Sequence, residues 1–139
     1  MHIYPIDRAY LPLLSILISR LGTGIEFFRY FDKRPIDIVL THEAALIMMD
    51  GEEPVAYGHL ERDGESIWLG VAVNQDYIGQ GRCKQMVQAL LDHAKTTNIT
   101  FINLTVDKTN VSAINLYEKL GFLVETEGPY YWKYRYQVQ

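Results

Sequence analysis

Two spacings of apolar residues alternate along this chain. His2-Ile3-Tyr4-Pro5-Ile6 is a short extended run, and Asp7 after it is a residue type that caps a helix. Leu11, Leu14, Leu17 and Ile18 then recur at helical spacing, which predicts a first helix. Leu21 to Pro35 mixes Gly22 and Gly24 with Phe27, Phe28, Tyr30 and Phe31, and reads as a loop followed by a short helix. From Ala44 the rhythm belongs to strands. Ala44–Met49, Val55–Glu61 and Ser66–Val73 are separated by the Asp- and Gly-bearing turns Asp50-Gly51-Glu52-Glu53-Pro54 and Arg62-Asp63-Gly64-Glu65, which predicts antiparallel hairpins.

After Gly81 the helical period returns, with Val87, Leu90, Leu91 and Ala94 on one stripe. Phe101–Val106 alternates and reads as a strand. Asn110 or Ser112 opens a last helix carrying Ala113, Leu116, Tyr117 and Leu120, and Gly121 sits where a left-handed C-terminal cap belongs. Phe122 begins another strand, and Tyr130–Tyr136 alternates bulky aromatic residues with Lys133 and Arg135. The order is β-α-α-β-β-β-α-β-α-β-β. A meander that feeds a strand–helix–strand crossover predicts an α/β fold on a mixed sheet, with residues 1–139 as a single domain.

Composition narrows the function. The 139 residues are 48% hydrophobic and 22% charged, with a net charge of −4. That is the balance of a soluble globular protein, and its sign argues against nucleic acid as a partner. Lysine and arginine between the C-terminal tyrosines are therefore read as the polar face of a strand rather than a base-stacking surface. Pro12 and Ser15 interrupt the longest apolar stretch, Leu11–Ile18, well short of the roughly 20 residues that span a membrane. Asp7 and Arg8 precede any signal-peptide core, so the expected compartment is the reducing cytoplasm. The single cysteine, Cys83, and four scattered histidines predict neither disulfide nor metal site.

The chemistry concentrates in Val71-Ala72-Val73-Asn74-Gln75-Asp76-Tyr77-Ile78-Gly79-Gln80-Gly81-Arg82-Cys83-Lys84. A strand ends, glycines turn the chain, and a helix begins. Backbone N–H groups can then approach a ligand while the helix terminus offers positive potential, as a pyrophosphate requires. Two common phosphate motifs do not fit. Lys84 does not follow a glycine and Gln85 takes the hydroxyl place of a P-loop, while a dinucleotide fingerprint lacks its third glycine and its place after the first strand. Cys83 lies beside Arg82, Lys84 and a helix N-terminus, which favour a thiolate open to alkylation; burial would act the other way.

A second element, Asn110-Val111-Ser112-Ala113-Ile114-Asn115-Leu116-Tyr117-Glu118-Lys119-Leu120-Gly121-Phe122, follows the next strand. Together with the glycine loop it resembles the GCN5-related N-acetyltransferase (GNAT) family. The family pattern Asn-x-x-Ala-x-x-Leu-Tyr-x-x-x-Gly-Phe is matched by Asn110, Ala113, Leu116, Tyr117, Gly121 and Phe122. The loop departs from its Arg/Gln-x-x-Gly-x-Gly/Ala pattern at Ile78 and Cys83. The resemblance implies a mixed, mostly antiparallel central sheet flanked by helices. It implies acetyl-CoA as co-substrate and no metal, with contacts from Val71, Ala72, Val73, Gly79, Gln80, Gly81, Arg82, Cys83, Lys84, Asn110 and Tyr117.

The implied reaction is direct attack of a primary amine on the thioester, with Tyr117 assisting the departing thiolate. A phenol near pKa ~10 facing a thiol near ~8.5 gives its proton uphill by roughly 2 kcal/mol, so hydrogen-bond donation is its main contribution. The base is His59 or Glu61, which share the Val55-Tyr57-His59-Glu61 face of one strand; His42 ranks lower, and His2 and His93 have no role. Phe28 and Tyr30 lie where the family builds its acceptor pocket, with Arg29 and Arg34 beside them for an anionic group. The expected acceptor is a small-molecule amine such as an amino sugar, and a homodimer is compatible with this reading. A non-catalytic acyl-CoA-binding module, a nucleotide-binding protein, and an enzyme acting on a protein or peptide amine are the alternatives.

Overall fold

The hairpins expected between Ala44 and Val73 supply three adjacent strands of one seven-stranded sheet. In the computed structural model, which describes residues 1–139, the elements are β1 (His2–Pro5), α1 (Leu11–Ser19), β2 (Ala44–Asp50), β3 (Glu53–Asp63), β4 (Ser66–Val73), α2 (Arg82–Lys95), β5 (Phe101–Asp107), α3 (Val111–Leu120), β6 (Leu123–Glu127) and β7 (Tyr131–Gln137). The sheet order is β1-β2-β3-β4-β5-β7-β6, and every neighbouring pair is antiparallel except β4 and β5. No helix is long and apolar enough to cross a membrane.

Strand β3 has both faces covered. Ala56 and Leu60 join the larger apolar cluster, with Met86, Val87, Leu90 and Leu91 of α2. Tyr57 joins a smaller one, with Leu14 and Leu17 of α1, Phe28 and Val39. Gly58 sets the distance to α2, since a Cβ there would lie 2.6 Å from Met86 Cγ.

One expectation fails in the N-terminal third. The short helix read after the loop in Leu21–Pro35 is absent. Gly22–Glu26, Tyr30–Asp32 and Ile36–Thr41 form three separate 3₁₀ turns instead. The cause is local: Gly22 sits at φ +60°, and Gly24 N and Phe27 N bond back only three residues, to Leu21 O and Gly24 O. Asp7 does cap, but what it caps is a 3₁₀ turn, Arg8–Tyr10, that leads into α1.

The feature that positions the site is the parallel seam. Strands β4 and β5 share a single register pair, Trp68 with Asn103, near the start of both. Asn103 closes that end, its amide donating to Ile67 O at 3.3 Å and its carbonyl accepting from Arg135 Nε at 3.2 Å. Beyond it the strands diverge, so one edge of β4 from Leu69 to Val73 lacks a paired strand.

Candidate active site

The divergence opens a cleft of about 1040 Å³ that runs from the 3₁₀ segment to the N-terminus of α2. Val71, Ala72 and Val73 line its floor. Gly79 and Gly81 border one end with φ +81° and +78°, and a Cβ on either would meet no heavy atom within 4 Å. The backbone there is bare and approachable, while the left-handed φ excludes other residue types without strain. Gly81 is also the residue from which α2 starts, so the helix's unpaired N–H groups face the same end. Arg82 donates from Nη1 to Gln85 Oε1 at 2.8 Å, and its buried Nε has no partner. An orphaned guanidinium N–H beside a bare turn fits a phosphate-bearing ligand.

Across the split, α3 supplies Asn110 and Tyr117. Asn110 caps the helix by accepting from Ala113 N at 3.4 Å, and it lines the cleft as well. Tyr117 is 7% exposed and reaches the same space. Burial, with a smaller contribution from Cys83, pushes its phenol far above the ordinary value, so it is a donor throughout the working range. Cys83 also lines the cleft, and burial pushes its thiol up to about 11. The thiolate expected from Arg82, Lys84 and the helix terminus is thus corrected: desolvation outweighs the positive potential.

At the far end, Phe28, Tyr30, His59 and Glu61 line the cleft with Phe27, Arg29, Arg34 and Trp68. Tyr57, His59 and Glu61 follow each other at alternate positions of β3, as the period predicted, but their surroundings differ. His59 is 3% exposed, with Tyr57 Oη 2.7 Å from its Nδ1 and its Nε2 packed against Gly70. Burial drives its pKa down to about 3, with His42 and Arg34 adding in the same direction. The ring is neutral, and its Nδ1 is engaged by Tyr57. Glu61 is half-buried at the cleft wall, and its Oε2 accepts from Tyr30 Oη at 2.6 Å.

Of the residues singled out in the sequence, Gln80, His42, Gly121 and Phe122 fall outside the lining; the Gln80 side chain is exposed and donates back to Asp76 O at 3.4 Å. Asp63, Trp68, Thr105 and Asp107 line the cleft without having been singled out, as does Leu116 beyond its place in the motif. Their places depend on where two strands separate, which no local pattern encodes.

The family model described as Acetyltransferase (GNAT) family matches residues 15–122. This chain belongs to the GNAT acetyltransferase family. Among curated GNAT relatives, it is 33% identical over 88 residues to spermidine N(1)-acetyltransferase of Escherichia coli (strain K12), a match covering 59% of this chain and 46% of that one. The chain thus matches about half the length of that relative. Its GNAT fold is shared with an acetyltransferase from Streptococcus pneumoniae, at TM-score 0.86 and 16% identity over 99% of both chains. It is also shared with spermidine N-acetyltransferase from Vibrio cholerae, solved with CoA and spermine, at TM-score 0.78, 17% identity and coverage of 99% and 95%.

Proposed function

We propose that this GNAT chain transfers the acetyl group of acetyl-CoA to the primary amine of a small molecule by direct attack. The observation that carries the reading is the cleft itself. It joins a bare turn at a helix N-terminus, an unpaired strand edge, a buried phenol and a half-buried carboxylate in one continuous space. When bound, acetyl-CoA supplies the thioester carbonyl and the thiolate leaving group.

The residues divide the work by position. Gly79, Gly81, Arg82 and Lys84 hold the pyrophosphate through N–H groups and positive charge, and Val71–Val73 offer the pantetheine a strand edge. Asn110 adds a polar contact from the α3 side. Tyr117, kept protonated by burial, donates a hydrogen bond to the sulfur as negative charge grows there. Glu61 rather than His59 takes the ammonium proton, because it borders the cleft as a carboxylate while His59 is buried and committed to Tyr57. Phe28 and the ring of Tyr30 form the apolar wall against which the acceptor lies. An acceptor of small-molecule size is supported by the name of the curated relative, which acts on spermidine.

The test has two stages. Acetyl-CoA at a hundred times its Kd should stabilise the native protein by about 2.7 kcal/mol, read as a rise in Tm, while ATP and NAD should not. A panel of amines with acetyl-CoA should then release free thiol for at least one acceptor. Stabilisation by ATP or NAD instead of acetyl-CoA would overturn the assignment, and binding without turnover on any amine would reduce it to an acyl-CoA-binding module.

A further inference from the structure

We infer that His42 and Tyr30 are positioning residues for the Glu61 carboxylate, linked to it in a one-way hydrogen-bond chain that leaves one carboxylate oxygen facing the acceptor amine. The inference rests on the reading of Glu61 as the proton acceptor.

The three residues come from separate parts of the chain. Tyr30 starts the second 3₁₀ turn, His42 follows the third, and Glu61 lies near the end of β3. Tyr30 Oη is 2.6 Å from Glu61 Oε2 and 2.9 Å from His42 Nε2. A phenol has one proton and a carboxylate has none, so the Tyr30 proton must lie on the Glu61 side. The Tyr30 oxygen can then only accept from His42. The direction is therefore His42 Nε2–H to Tyr30 O–H to Glu61 Oε2, and in the neutral ring it requires the Nε2–H tautomer of His42. Each donation polarises the next, so the histidine strengthens the bond that the tyrosine makes.

The surroundings keep this direction. Burial lowers the pKa of His42 below its ordinary value; Glu61 opposes and Arg34 reinforces the shift. Tyr30 is pushed well up by burial and by its bond to Glu61, so it remains a donor. The Arg34 guanidinium lies 4.3 Å from the Tyr30 ring centroid, and its Nη1 donates to Tyr30 O at 3.0 Å, which holds the ring in place. Beyond Arg34, the titratable rings packed on the cluster are His59, with its centroid 4.5 Å from that of Tyr30 and 4.8 Å from that of His42, and Tyr57 behind it. With Oε2 engaged, Oε1 is the oxygen left for the ammonium. The O–H bond forms there as the N–H bond breaks, and the electron pair stays on nitrogen for attack.

The tautomer is read directly by long-range ¹H–¹⁵N NMR of the wild-type protein at neutral pH, with no variant needed. His42 should appear protonated at Nε2 and unprotonated at Nδ1; the opposite tautomer overturns the chain. Kinetics supply the functional arm. Tyr30→Phe should lower kcat about tenfold or more, and His42→Leu about threefold, the scale of losing one charged or one neutral hydrogen bond. KM for acetyl-CoA should not change. His42→Gln, whose amide can still donate, should recover most of the loss. Glu61→Gln separates the two readings. If it is inactive while Tyr30→Phe and His42→Leu behave as wild type, only the chain is overturned; if it is fully active, the base assignment falls and the chain's role falls with it.

Discussion

Tyr117 and Cys83 face the same cleft, and burial acts on both in the same sense. For Tyr117 the result is a phenol that never ionises in use, so its hydroxyl matters only as a donor. Tyr117→Phe should lower kcat by about 10²–10⁴-fold with little change in KM for acetyl-CoA, measured where chemistry limits the rate. An unchanged kcat would leave Tyr117 as a core aromatic. For Cys83 a thiol at about 11 is almost wholly protonated near pH 8. Iodoacetamide should therefore label native Cys83 far more slowly than the urea-unfolded chain at that pH, followed by mass spectrometry; equal rates would mean that the thiol is not shielded. The sequence made both residues visible, but their surroundings were not equally legible. Tyr117 stands in a six-residue pattern whose geometry is local to one helix. Cys83 depends on a contest between helix potential and desolvation, and desolvation is set by residues distant in sequence.

At the scale of elements, the strands and long helices were legible because their periods run over many residues. The Ser66–Val73 run has the bounds of β4, and Gly121 caps α3 at its C-terminus, while of the two candidate starts, Asn110 and Ser112, it is Asn110 that caps it. The 3₁₀ segment was not legible, since its aromatic residues follow no period and are held by Tyr57 and His59 across the fold. That is also why the Tyr30–His42–Glu61 cluster escaped the sequence: pairing of Ala44 with Leu60 brings His42 toward Glu61, and register is a long-range fact. The open edge of β4 makes a prediction of its own. Amide hydrogen exchange in Leu69–Val73 and Gly79–Lys84 should slow when acetyl-CoA is added, while exchange in β2 and β6 should not change. Slowing confined to the glycine turn would mean that the strand edge contributes nothing to binding.

For the molecule as a whole, the buried histidine couples folding to pH. Unfolded, His59 protonates near its ordinary value of ~6.5; folded, it stays neutral down to about 3. Below ~6.5 the unfolded chain therefore binds more protons, and stability falls as pH falls through that window. Urea midpoints measured from pH 7 to 4 should show a steep decline in wild type and a shallower one in His59→Gln; parallel slopes would mean that other groups govern acid unfolding. The seam between β4 and β5 has a mechanical consequence. One register pair and the Asn103 bridge hold β1–β4 to β5–β7–β6 within the sheet, so a load applied across it meets least resistance there. A molecule lying along the divergent strands would add fastenings on both sides of that line. The substrate would then act as a rivet, and the same protein would tear at lower force when empty than when loaded.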